Sequence, residues 1–348
     1  MRFIKGRILS GQFYLESVRP LLRGLLHDAC LVGEGSDVLG YDQPISMDHN
    51  WGPRLTIFVA DESEASVIHR NIIAHLPESF RGFPTRRDES ADNIVVTTVP
   101  KWLKDNLSIA DIDELKISDW LSFPQQHLLQ FTGGVLFSNS LGQYEHAKKI
   151  LSWYPDDVWR WMMASQWYFI WSTERLIFRT QEAGDSFGSQ LIVQKLIRLI
   201  VEMCFLQHRQ YKPYDKWIGS AFKRINDSQG FVQMISEIVS CQNVKRQITL
   251  LQGMLFQLGN IHNTLQLTKP VKPRTVNYEV GVAHAVRPYL IFNSSEYKDA
   301  CIAGIRNSSL KKLACTGAID QMTNASDAMI NFTDWKEVIQ HGFETMLS

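Results

Sequence analysis

The chain has 348 residues, 45% of them apolar, and its 36 Lys and Arg balance 36 Asp and Glu to a formal net charge of +0. That length suits two domains, each with a sizeable core. The even charge leaves no global basic footprint and argues against nucleic acid as the partner, and no apolar run is long enough to cross a bilayer.

Residues 1–9 interleave Arg2, Lys5 and Arg7 with apolar side chains, so they do not form the apolar core of a secretory signal. Cys30, Cys204, Cys241, Cys301 and Cys315 are widely spaced, with no CxxC or Cys/His zinc pattern. Three lie in apolar surroundings, which suits buried reduced thiols and a cytoplasmic protein.

Residues 13–26 read as an amphipathic helix with Pro20 at a kink or start. Strands follow at 29–33 and 54–60. Residues 61–76 read as a helix whose acidic opening, Asp61, Glu62 and Glu64, suits the positive end of the dipole. Residues 80–92 are Arg-, Asp- and Gly-rich and read as a loop, and 94–99 as a β-branched strand closed by Pro100. No Gly/Ser-rich linker follows, and the first domain is placed at 1–142.

From residue 143 the pattern is helical. Residues 144–153 make a short helix, stopped at Tyr154 and Pro155. Residues 158–180 carry Trp159, Met162, Met163, Trp167, Ile170 and Trp171 at helical spacing, a set that reads as core rather than a ligand box. Residues 189–208 are apolar nearly all round. Their polar line, Gln194, Arg198 and Glu202 with Lys195 beside it, fits either pairing along the helix or a face turned to a cleft. Residues 231–241 and 244–266 add two bundle helices, 268–274 a basic connector, and 280–346 a mixed region. The expected fold class is α+β: a small mixed β-sheet domain followed by a mostly α-helical bundle domain, 143–348.

Chemistry concentrates between the first two strands. Gly35 and Ser36 sit where a buried strand meets a polar turn, and backbone N–H groups of such a turn can cradle phosphate oxygens. Asp48 offers a hard oxygen to a divalent cation. Asp37 and Asp42 are reserve acids in the same loop. His49, on an extended segment, would face the opposite side and reads as structural. Arg54 fits either a phosphate contact or an ion pair with Asp48 or Asp37.

This stretch resembles the nucleotidyltransferase superfamily of the DNA polymerase beta type. Within it, Gly35-Ser36-Asp37, Gly40, and Asp48-His49 with Trp51-Gly52-Pro53-Arg54 resemble a bacterial nucleotidyltransferase-like family of unknown function with a helical C-terminal domain. Tyr154-Pro155, Asp157-Val158-Trp159, Gln166-Trp167, Lys216-Trp217 and Ile319-Asp320-Gln321 extend the resemblance from about residue 31 to 327. It implies transfer of a nucleoside monophosphate from an NTP to a hydroxyl of a small-molecule or protein acceptor, with Mg²⁺ or Mn²⁺ as the metal. Gly35 and Ser36 would bind the nucleotide and Asp48 the metal. Lys216 would reach the triphosphate, and Glu174, or Asp185, would serve as base by analogy with antibiotic nucleotidyltransferases.

One departure bears on the chemistry. Where the superfamily pattern has a second carboxylate, this chain has Asn50. An amide oxygen can ligate a cation but brings no charge, and two-metal phosphoryl transfer relies on acidic ligands. Nor does the strand at 94–99 carry a third acid. The alternative expectation is therefore a nucleotide-binding or protein-interaction module with impaired catalysis.

Overall fold

The computed structural model describes residues 2–48, 50–86, 93–226, 230–280, 285–324 and 333–348. His49 and the end of the 80–92 loop lie outside them. The chain divides into two compact units. One is built chiefly from Met1–Asp119 and Phe123–Trp153, the other from Trp120–Ser122 and Tyr154–Asn331. The class is α+β, as expected, with a small mixed sheet. Among the described residues no helix is long and apolar enough to cross a membrane.

The first unit opens with α1 (Gly6–Phe13), which continues as a π turn over Tyr14–Val18 and a 3₁₀ turn over Arg19–Leu22. The expected helix at 13–26 therefore begins about two turns earlier and is over by Leu22. Leu9, Phe13 and Val18 are fully buried and set its inner face. Pro20, without an N–H, cannot extend the α ladder and sits in the 3₁₀ turn.

Strands β1 (Asp28–Leu31) and β2 (Leu55–Phe58) are antiparallel, with Ala29 opposite Ile57, and both are buried along their length. Two buried faces explain why they read as unbroken apolar runs. Helix α2 (Glu62–His75) is capped by Asp61, whose side chain accepts from the Ser63 N–H. A short hairpin, β3 (Ser79–Phe80) and β4 (Phe83–Pro84), precedes β5 (Ile94–Thr97), which pairs parallel to β2. Pro100 does not merely close β5. It lies in the first turn of α3 (Val99–Leu107), where its missing N–H costs nothing, behind a Thr98 cap.

Helices α4 (Ile117–Ser122) and α5 (Gln125–Thr132) lead to β6 (Val135–Asn139), which completes the sheet order β5-β2-β1-β6. Asp28, fully buried at the start of β1, accepts from the N–H groups of Leu141, Gly142 and Tyr144 and so fixes the start of α6 (Gln143–Ile150).

The second unit is organised by α7 (Asp156–Glu182), packed along α8 (Ser186–Gln207). Trp159, Met162, Met163, Trp167 and Ile170 of α7 are fully buried, so this aromatic set is core. Trp171 is half-buried, with the Arg175 guanidinium 4.3 Å above its ring. Helices α9 (Asp215–Asn226), α10 (Phe231–Ser240) and α11 (Val244–Thr264) follow. A two-stranded ribbon, β7 (Thr275–Val280) and β8 (Ala285–Phe292), then precedes α12 (Ser294–Gly304), α13 (Ser308–Lys312) and α14 (Ile319–Thr323). The last helix, α15, spans Thr333–Leu347.

Candidate functional site

The loop from the end of β1 to the start of β2 is held by buried charge. Asp37 is fully buried, and the Arg54 guanidinium grips it in a fork, Nη2 to Oδ1 at 2.6 Å and Nε to Oδ2 at 3.2 Å. The same Nη2 donates to the Glu34 carbonyl. A planar fork matched to two carboxylate oxygens is a contact lysine cannot copy. Of the two roles open to Arg54, the structure shows the ion pair.

Asp42 is equally committed. Its Oδ2 accepts from the Gly6 N–H at 2.7 Å and from Trp51 Nε1 at 3.1 Å, and Lys5 Nζ lies 3.5 Å from Oδ1. Arg7 ties the loop down from outside, donating to the carbonyls of Asp37, Val38 and Gly133. Both reserve acids thus hold the loop, and neither offers a charge to a ligand.

That scaffold brings the two halves of the motif together. Gly35 has φ +130°, a conformation L side chains rarely adopt, and a Cβ there would press on Arg54 and Asp37 and sit 2.7 Å from the Asn50 carbonyl oxygen. Only glycine fits. Asn50 itself is left-handed, φ +45°, which asparagine tolerates better than most residues. Its Nδ2 donates to Glu34 Oε2 at 3.0 Å.

Asp48 ends a 3₁₀ turn, Pro44–Asp48, and is exposed. Ser36 is half-exposed beside Gly35. The exposed acids of this loop are Glu34, immediately before the Gly-Ser turn, and Asp48, twelve residues after it.

Sequence reasoning passed over Glu34. Its closeness to Asn50, sixteen residues on, depends on two left-handed backbones that no spacing rule reveals. The nearest signal was position alone, an acid immediately before the Gly-Ser turn.

The residues assigned from the helical unit are placed differently. Lys216 is exposed in the first turn of α9, its ammonium 5.1 Å from the Trp217 ring centre. Asp185 caps α8, accepting from the Gly188 N–H at 2.7 Å. Lys212, near Lys216 in sequence, is buried and paired with Glu202 at 2.7 Å.

Glu174 is 2% exposed. It accepts from the Phe292 N–H at 3.1 Å with both oxygens and from Gln252 Nε2 at 3.2 Å. Burial pushes its carboxyl up to about 7, against the pull of those hydrogen bonds. Its acceptor capacity is directed into the bundle, towards β8 and α11.

The raised pKa has a stability consequence. The folded state keeps Glu174 protonated where the unfolded chain, near 4.5, has ionised, so this group's contribution is full below about 4.5 and is lost as pH rises to about 7. Buried His262, pushed down to about 4, has the opposite linkage and loses stability as pH falls below 6.5. The two oppose each other over one window, so the test is a difference. Relative to the parent, Glu174→Gln should gain stability as pH rises from 4.5 to 7, by up to about 1.4 kcal/mol per pH unit, in urea melts across that range. An unchanging difference would mean that Glu174 is ionised throughout.

Among the described residues no group of three or more His, Cys, Asp or Glu side chains is arranged to hold a metal ion.

Comparison with known proteins adds one match. A family model described as "Domain of unknown function (DUF4037)" matches residues 120–218, less than half of the chain. The matched segment holds α7, α8 and the opening of α9, whereas the Gly35–Arg54 loop lies outside it. No curated protein and no solved structure matches the chain significantly.

Proposed function

We propose that the Glu34–Arg54 loop binds a nucleoside triphosphate with Mg²⁺. The chain would then be a nucleotidyltransferase-like protein of the DNA polymerase beta type, passing a nucleoside monophosphate to a hydroxyl acceptor and releasing pyrophosphate. The observation that carries the reading is the close approach of Gly35 to the Asn50 carbonyl, which puts the Gly-Ser turn and the Asp48–Asn50 segment on one loop. Phosphate cradle and cation ligands are needed side by side, and the antiparallel pairing of β1 with β2 brings these two ends of their connecting loop together.

The chain's own residues supply position. The turn N–H groups and the Ser36 hydroxyl receive phosphate oxygens, and Arg54 keeps that turn open by clamping Asp37 beneath it. Asp48, the Asn50 amide oxygen and Glu34 would hold Mg²⁺ or Mn²⁺, which supplies neutralisation of phosphate charge. The Glu34 and Asp48 carboxylates would repel a bare triphosphate held between them, so nucleotide binding should depend on the divalent ion. Catalysis would be mainly positioning and charge neutralisation.

The test is thermal shift with each NTP, with and without Mg²⁺. A ligand at 100 times its Kd stabilises by about 2.7 kcal/mol. Asp48→Ala should abolish the Mg²⁺-dependent shift, read against the variant's own unliganded melting temperature. An unaltered shift in the variant would move the metal elsewhere.

A second reading, nucleotide binding without brisk turnover, has its own observation. The Asn50 amide donates to Glu34, so a carboxylate at position 50 would face another about 3 Å away, and such a pair does not ionise fully without a cation. Asn50→Asp should therefore strengthen the response to Mg²⁺ and raise pyrophosphate release at least tenfold, about 1.4 kcal/mol of barrier. A parent that already turns over as fast as the variant would remove this reading.

A further inference from the structure

Lys5, Arg7 and Arg54 all bond to the loop between β1 and β2, and they are not equally spent. Arg54, with 15% of its side chain exposed, forks onto Asp37 and reaches the Glu34 carbonyl. Arg7 donates to the carbonyls of Asp37, Val38 and Gly133. Lys5, the N-cap residue of α1, is half-exposed, at 52% of its side chain. Its ammonium donates to the Asp42 carbonyl and lies 3.5 Å from Asp42 Oδ1, longer than an ordinary hydrogen bond. The Asp42 carboxylate is buried, and its Oδ2 is already taken by Gly6 and Trp51. An ammonium has three donors, so Lys5 keeps donors to offer outside the protein.

Asp42 connects Lys5 to both halves of the motif. It follows Tyr41, whose N–H donates to the Ser36 carbonyl at 2.8 Å. The ammonium therefore stands two hydrogen bonds and one peptide step from the Gly-Ser turn. On the other side, Trp51 Nε1 donates to the same Asp42 at 3.1 Å. The Phe3 ring, stacked on Trp51 at 5.7 Å between centres, lies 5.5 Å from the ammonium. Trp51 directly follows Asn50. Lys5 thus sits where the turn and the Asp48–Asn50 segment meet. A triphosphate carries more negative charge than one divalent ion cancels, and a half-exposed ammonium at that junction is its complement.

We propose, on the nucleotide reading of this loop, that Lys5 is the protein's own cation for the phosphate chain. Its ammonium bonds phosphate oxygens that the metal leaves uncovered, acting as a point charge on a flexible stem. The group recognised is the phosphate chain and not the base, so an NTP and inorganic tripolyphosphate both engage Lys5, and a nucleoside does not. Lys5 lies thirty residues ahead of Gly35 and belongs to no motif around the turn; contacts through Asp42 bring it there.

The test uses the full chain and lysine acylation by an N-hydroxysuccinimide acetate, read at each lysine by mass spectrometry. Lys101, 48% exposed on α3, serves as the internal reference. Lys5 should react in the free protein. With Mg²⁺, the NTP that raises the melting temperature most should slow Lys5 acylation at least fivefold. Tripolyphosphate with Mg²⁺ should do the same, and the matching nucleoside should not. In titration calorimetry Lys5→Gln should weaken the NTP at least tenfold and the monophosphate much less, whereas Lys5→Arg should stay within about threefold of the parent. A purely structural lysine would weaken both nucleotides alike. If Lys5→Gln does not fold, acylation of the parent decides the matter. An NTP that stabilises the parent without protecting Lys5, protection by the nucleoside alone, or equal losses for triphosphate and monophosphate would overturn the proposal and leave the nucleotide reading standing. No Mg²⁺-dependent binding of any NTP or of tripolyphosphate would overturn both.

Discussion

Arg54→Ala is expected to lower the stability of the first unit by about 3–5 kcal/mol. The cause is the partner left behind. Asp37 is fully buried and loses both bonds from the fork, keeping only the Val38 N–H on Oδ1. An ionised carboxylate in that position has no water to replace the guanidinium. Arg54→Lys should recover only part, because a single ammonium cannot meet both oxygens in one plane. The informative variant is the double change Arg54→Met with Asp37→Leu. It removes both charges and should be more stable than Arg54→Ala, since the two sites are directly coupled. Urea denaturation of the full chain reads all three. A loss under about 1 kcal/mol for Arg54→Ala would show a pair screened like a surface contact, and a loop held by Asp42 and Arg7 instead.

Trp167→Ala should have a comparable effect in the second unit, about 3–5 kcal/mol. The ring is fully buried and stacks on Tyr297 at 4.8 Å and Phe292 at 5.9 Å between ring centres. Its Nε1 donates to His262 Nδ1 at 3.2 Å, and His262 Nε2 faces Thr268 Oγ1 at 3.0 Å. That arrangement assigns the imidazole proton to Nε2 and keeps the ring neutral, in line with the burial that pushes its pKa down to about 4. Trp167→Phe preserves most of the stacking and leaves Nδ1 without a donor, so it should cost about 1–3 kcal/mol. Equal losses for Ala and Phe would mean that the hydrogen bond, and not the ring volume, carries the effect.

The parts of this fold legible in the sequence are those whose burial pattern is one-sided or complete over a full element. β1 and β2 read as apolar runs because a central strand is covered on both faces. β5, an edge strand with Val95 exposed, is marked by its β-branched residues instead. α7, α8, α10 and α11 are legible because their apolar period persists for nearly three turns or more. β6 was not legible. It is an edge strand of half-buried residues behind Gly133 and Gly134, and neither alternation nor a solid apolar run marks it. The start of α1 was hidden for a different reason. Gly6 is a poor helix former, and it stands there because a Cβ would clash with Asp37 across the fold.

The candidate site divides in the same way. Gly35, Ser36, Asp48 and Asn50 could be singled out because their types and order are local. That Asp37 and Asp42 are consumed by Arg54, Gly6 and Trp51, or that Glu34 meets Asn50, is decided by contacts across nine to thirty-six residues. Charge alone does not say which of several neighbouring acids is buried and paired, because that depends on where the cations fold.

The central claim is that the Gly-Ser turn and the Asp48–Asn50 segment form one nucleotide–metal site. Fe²⁺ substituted for Mg²⁺, with ascorbate and peroxide, cuts backbone close to where the ion rests, and mass spectrometry maps the cuts. The account predicts cleavage that requires an NTP, falls within residues 34–37 and 47–51, and disappears in Asp48→Ala. Cleavage that is independent of nucleotide, or that falls outside this loop, would contradict it.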